Sequence, residues 1–122
     1  MEIVDANIVL RYLLNDNEIL SKKAGRILEN IDVHLPFEVC AEVVYVLEKV
    51  YTVSRENIRD ALTILLEYPN IATSEKTVLI EALKIYHIEN VDFVDAILIA
   101  YNRIIGATIH SFDKKVNKLC IK

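Results

Sequence analysis

The sequence predicts an α/β fold: a three-layer α/β/α arrangement with a small, central, mostly parallel sheet. Three observations lead there. Short Ile- and Val-rich segments alternate along the chain with longer stretches of helical periodicity, the pattern of a parallel sheet covered by helices. The apolar residues make up 53% of the chain and are mostly Ile, Leu and Val, which suit strands buried on both faces. Gly and Pro occur only twice each, so connections are expected to be short. At 122 residues, the chain is expected to form a single domain over 1–122.

The elements follow in order. Ile3-Val4 reads as a first strand ending at Asp5, and Ile8–Leu14 as the helix behind it. Asp16-Asn17 breaks that helix. Leu20, Ala24, Ile27, Leu28 and Ile31 mark a second, amphipathic helix with Lys22, Lys23 and Arg26 outside. Val33–Pro36 reads as a second strand. A long helix through Val39 to Tyr51 carries a Cys40, Val43, Val44, Leu47 and Tyr51 stripe. Ser54 is an N-cap for a helix with Ile58, Ala61, Leu62, Leu65 and Leu66 inward. Ile71-Ala72 is a brief third strand, and Thr73-Ser74 is expected to cap a helix bearing Val78, Leu79, Ala82, Leu83 and Tyr86. The next helix begins near Asp92 and Asp95 and stops at Gly106. Ala107–Phe112 reads as a fourth strand, ending at Asp113 before a short terminal helix.

Charge and cysteine usage narrow the classes. The net charge is −4 and the pI about 5.3, so charge alone would not hold a nucleic acid. Cys40 and Cys120 form no CxxC motif, which suits a reducing cytoplasm. Met1–Asp5 has no basic start of a signal peptide, and no apolar run is long enough for a bilayer. No membrane association is expected.

Four carboxylates stand in positions that invite explanation. Asp5, Asp95 and Asp113 lie at element boundaries, where each could be only a helix cap. Glu42 is the one charged residue in Val39–Leu47, with Val39 and Val46 beside it at helical spacing. It could be a ligand in apolar surroundings, or it could lie on a polar side with Glu38 and Tyr45. Taken together the four suggest a constellation, since clustered acids repel unless a cation neutralises them. Oxygen-only ligation suits Mg²⁺ or Mn²⁺, while the absence of a Cys/His set at metal spacing argues against zinc. His34 reads as a strand residue. Asp92, one helical turn before Asp95, shares its face.

Val4–Leu13, Ala41–Leu47, Phe93–Ala96 and Ser111–Lys115 together resemble the PIN domain, in particular the VapC-type toxins of prokaryotic toxin–antitoxin pairs. The resemblance runs over nearly the whole chain, with the motifs in order. It implies a metal-dependent endoribonuclease whose acidic pocket corresponds to Asp5, Glu42, Asp95 and Asp113, holding one or two Mg²⁺ or Mn²⁺ ions. Asn7 and Ser111 match the polar neighbours of the first and last acids, and Asp92 an accessory acid. Ala6 departs from the usual Thr or Ser, and Ser111 from the commoner Thr. An RNA substrate, a protein antitoxin and a homodimer are further implications. Arg11, Arg103, Lys114, Lys115 and Lys118 are candidates to meet RNA, or else ordinary surface charges. The alternatives are a PIN-fold interaction module whose acids are structural caps, and a stand-alone RNA-processing nuclease without an antitoxin. A phosphatase or receiver domain fits less well: there is no DxD pair after the first strand and no lysine after a late strand.

Overall fold

A computed structural model describes residues 1–121. The chain divides into two units, Met1–Ser74 and the part from Glu75 onward.

The first unit is built on parallel pairing. Strand β1 (Val33–His34) pairs in parallel with β2 (Ile71–Ala72), Val33 opposite Ile71 and His34 opposite Ala72. The expected first strand is reduced to a single parallel bridge between Ile3 and His34. The His34 amide donates to the Glu2 carbonyl at 2.7 Å, which fixes this edge. Helices α1 (Ala6–Leu14) and α2 (Glu18–Asn30) connect Ile3 to β1, and α3 (Phe37–Lys49) and α4 (Arg55–Leu66) connect β1 to β2. Parallel neighbours need such crossovers. The caps follow side-chain chemistry. Asn17 accepts from the Leu20 amide at 3.0 Å, and Ser54 from the Asn57 amide at 3.1 Å. Asn15 ends α1 in the left-handed region at φ 49°, which Asn tolerates better than most residues. Most of the apolar stripes are buried as periodicity requires: Val9 and Leu10, Ala24 and Leu28, Cys40, Val43, Val44 and Leu47, Ile58, Leu62, Leu65 and Leu66; Leu20, in the first turn of α2, is exposed instead. Tyr51, placed in the α3 stripe by its spacing, instead lies exposed just past the helix end. The Tyr12 hydroxyl donates to Glu29 at 2.6 Å and meets the Tyr68 hydroxyl at 2.8 Å, tying α1 to α2 and to the end of α4.

The second unit is helical. Helix α5 (Lys76–Ile88) packs on α6 (Phe93–Ile105), and α7 (Lys114–Leu119) packs on α6. Val78, Leu79, Ala82, Leu83, Ile85 and Tyr86 of α5 are buried, as are Phe93, Ala96, Ile99 and Ala100 of α6. Tyr86 and Phe93 meet edge to face at 5.8 Å, a favoured aromatic geometry. Gly106 closes α6 at φ 80°, a conformation that favours glycine.

Two expectations need correction. Residues 107–112 form no strand ladder among the described residues, although their burial alternates as a strand's would. Its first amide, that of Ala107, bonds back to the Tyr101 carbonyl at the end of α6, and its carbonyls are met by side chains: the Asn102 amide donates to the Ala107 carbonyl, and Asn117 to the Ser111 carbonyl. A β-like alternation reports extended backbone, and extended backbone can be held by side chains instead of a ladder. The α5 cap is also different. Glu75 occupies the N-cap position, without a side-chain capping bond among the described residues, and the Thr73 hydroxyl is buried without a partner.

Candidate metal centre

The acids of the second unit gather around the start of α6. Asp92 holds the N-cap position with extended backbone, and its carbonyl accepts from the Ala96 amide at 2.9 Å. Its carboxylate makes no capping bond among the described residues and is exposed, so capping does not account for this side chain. Asp95 lies in the first turn of α6 and is only partly exposed. Its carboxyl pKa is raised, first by burial, then by the charge of Asp113, then by that of Asp92. The helix N-terminus favours an anion here, so the like charges and burial act against that preference.

Asp113 is exposed and caps α7: its Oδ1 accepts from the Val116 amide at 2.9 Å. A carboxylate has a second oxygen, so the cap does not exhaust its ligand capacity. Ser111 supports it from behind. The Ser111 hydroxyl accepts from the Asp113 amide at 2.9 Å, while Asn117 donates to the Ser111 carbonyl at 2.8 Å. These bonds fix the backbone that presents Asp113.

In the first unit, Asp5 is exposed two residues beyond the Ile3 bridge and caps α1, its Oδ1 accepting from the Ile8 amide at 3.1 Å. Asn7 is exposed on the first turn of α1. Glu42 does not lie in apolar surroundings: it is exposed on one side of α3 with Glu38 and Tyr45. Residues 38, 42 and 45 share a helical face, opposite the buried Cys40, Val43, Val44 and Leu47 stripe. Val39 and Val46, its neighbours at helical spacing, are only half-buried and leave Glu42 itself exposed, so burial supplies no argument for a ligand at this position.

The sequence model of the PIN domain matches residues 3–122. The chain belongs to the PIN domain family. PIN domains are in general nucleases and generally use divalent metal ions. No curated protein and no solved structure matches the chain.

The acids of this PIN domain are oxygen donors suited to a hard divalent cation. Among the described residues, no three His, Cys, Asp or Glu side chains converge closely enough to form a metal-binding group. Mg²⁺ is commonly held by one or two carboxylates with several waters retained, and Asp95, on which the charge of Asp113 acts, is the position in the second unit where a cation would be favoured. A cation between like charges would also relieve the repulsion that raises the Asp95 pKa.

The cations divide into two kinds. Arg11 is committed within its own unit: its guanidinium grips Asp16 at 2.8 and 2.9 Å and donates to the Tyr51 hydroxyl at 3.1 Å. Arg103 donates to the Leu119 carbonyl from Nε and from its terminal nitrogen, at 3.2 and 3.0 Å, closing the end of α7. Both arginines therefore serve as structural ties rather than free cations. Lys114, Lys115 and Lys118 are exposed on α7. Both cysteines are free, and burial pushes the Cys40 thiol up to about 12, which keeps it protonated and unreactive. Among the described residues no helix is long and apolar enough to cross a membrane.

Two contributors escape a reading by carboxylates alone. Asn102 is buried, and its amide donates to the carbonyls of Ala107 and Ile121, both at 3.0 Å, while its oxygen accepts from the Ile121 amide at 2.7 Å. The signal was its phase, since residues 95, 99 and 102 share one face of α6. Phe112 is the other: it occupies an outward position in the 108, 110, 112 alternation and is fully exposed.

Proposed function

We propose that this PIN domain is a Mg²⁺- or Mn²⁺-dependent endoribonuclease and the toxin of a VapC-type, type II toxin–antitoxin pair, acting in the cytoplasm. The observation that carries the reading is the gathering of like charge at the start of α6, where Asp113 and Asp92 act on the partly buried Asp95. Such an arrangement costs stability and suits a cation site. Asp95 and Asp113 are the proposed ligands of the second unit, and the family pattern adds Asp5 and Glu42 from the first. A bound divalent ion supplies an activated water and neutralises charge on a phosphate. The chain's own residues do the positioning: Ser111 and Asn117 orient the backbone of Asp113, Asn7 stands beside Asp5, and Asp92 adds negative charge. Lys114 and Lys115 are free to meet phosphate oxygens. A homodimer through the middle helices is supported by the exposed Tyr45 of α3 and Ile64 of α4. A short neighbouring gene encoding a DNA-binding head and an amphipathic tail would support the antitoxin. Its absence would favour a stand-alone RNA-processing nuclease.

The test is cleavage of structured RNAs with Mg²⁺ or Mn²⁺, and with EDTA as control. Asp95→Asn and Asp5→Asn are each expected to lower the rate at least 100-fold. Cleavage by either variant at the wild-type rate would sink the assigned site. A second reading has its own support, because Asp5 and Asp113 both make helix caps. In that reading the domain is an interaction module. Calorimetric titration with Mn²⁺ separates the two: the nuclease binds the ion and the module does not.

A further inference from the structure

Phe112 is out of place as a structural residue. Its side chain is fully exposed, at 107% of the reference value, and lies immediately before Asp113. An isolated surface phenylalanine is unremarkable, but this one is on rigidly held backbone. Asn117 grips the carbonyl on its N-terminal side at 2.8 Å. The Ser111 hydroxyl holds the amide on its C-terminal side at 2.9 Å. The ring is therefore presented outward by backbone that is fixed on both flanks. Beside it opens a cleft of about 390 Å³ lined by Ile109, His110, Ser111, Phe112 and Asn117. That volume is within the range of small-ligand sites, roughly 300–1,000 Å³. Exposed Lys114 and Lys115 follow at two and three residues' distance.

We infer that Phe112 is a stacking platform for an unpaired RNA base beside the phosphodiester that the acidic site cuts. The inference rests on the nuclease reading above and names how that site grips its substrate. An aromatic face accepts any base, and neighbouring cations meet the backbone phosphates, which is the general chemistry of single-stranded nucleic-acid binding. The net charge of −4 makes such a contact more necessary, since long-range attraction does not draw RNA to this chain. Paired RNA keeps its bases stacked, so the platform selects single-stranded or looped segments.

The chain contains no tryptophan, so Phe112→Trp introduces a single indole reporter at this position. RNA binding is read by anisotropy of a labelled single-stranded oligoribonucleotide, with EDTA present to prevent cleavage. Phe112→Ala is expected to weaken binding about tenfold. Phe112→Trp restores binding and its emission is quenched on saturation, while Phe112→Leu, apolar without a π face, behaves like Phe112→Ala. Wild-type affinity in Phe112→Ala or Phe112→Leu overturns the inference, leaves the nuclease reading intact, and assigns the ring to a protein interface. A wild-type protein that binds no RNA overturns it as well. Failure of the nuclease reading looks different: RNA is bound through Phe112, yet none is cleaved with Mn²⁺ present.

Discussion

Asp95 is held in a state that the folded chain does not prefer. Burial comes first among the causes, and the charges of Asp113 and Asp92 add to it. The folded protein therefore binds a proton at Asp95 more tightly than the unfolded chain does. Stability from this group falls as pH rises from the ordinary carboxylate value to the raised one, and the penalty is complete above it. Removing the charge should then help the fold. Asp95→Asn is expected to raise the melting temperature of the metal-free protein at neutral pH and to change it little at a pH below the ordinary carboxylate range. An unchanged or lower melting temperature at neutral pH would mean that Asp95 is not under electrostatic strain. Together with the loss of cleavage in the same variant, the gain would identify a residue kept for function at the expense of stability. Glu42 makes the contrast. It is exposed on the polar side of α3, and its assignment comes from the family pattern alone. Its apolar neighbours at helical spacing, Val39 and Val46, sit at the edge of the buried stripe and do not cover it, so the polar side with Glu38 and Tyr45 is where it lies.

At the scale of elements, α6 and the segment after it form the scaffold of the site. Asn102 is their clamp, with three hydrogen bonds to the backbone of Ala107 and Ile121. Asn102→Ala leaves those part-buried backbone groups without their side-chain partner, at about 1–3 kcal/mol for each group that water does not reach. We expect a loss of roughly 2–4 kcal/mol in denaturant melts, with faster amide hydrogen exchange at Ile121, once its acceptor is gone. A loss below about 0.5 kcal/mol would show that water replaces the clamp readily. Much of this element order was legible in the sequence: Ser54, Gly106, the α5 stripe and the β1–β2 pair stand where periodicity and cap chemistry put them. The Ala107–Phe112 segment was not, because alternation identifies extended backbone without identifying its hydrogen-bond partner. The helix after Thr73-Ser74 likewise begins at Lys76, with Glu75 and not the polar pair at its N-cap. Within the candidate site, the acids are read from residue type and the family pattern. Their supports, Asn102 and Asn117, are not, because an asparagine's partners are set by tertiary packing.

For the molecule as a whole, the acidic balance and the proposed cation bear on one another. The chain carries four more acidic than basic groups, and two of its proposed ligands already repel. A divalent ion that binds only the folded chain stabilises it by about 2.7 kcal/mol at a hundred times its dissociation constant. For a domain of this size that corresponds to a rise of roughly 5–15 °C in melting temperature. Mn²⁺ or Mg²⁺ is therefore expected to raise the melting temperature, whereas the same ionic strength supplied as KCl does not, because screening gives much less than coordination. Acidification should shrink the difference from both sides. As pH falls toward the raised Asp95 value, the proton competes with the ion and the metal-bound form loses its advantage. At the same time protonation relieves the repulsion on Asp95, so the metal-free form gains. Calorimetric scans with and without Mn²⁺ at neutral pH and at a pH near the ordinary carboxylate value read both effects. The metal-site assignment fails if Mn²⁺ and KCl give the same melting temperature at neutral pH. It also fails if the Mn²⁺ effect persists unchanged in Asp95→Asn, since that variant removes one of the two charges the ion is proposed to join.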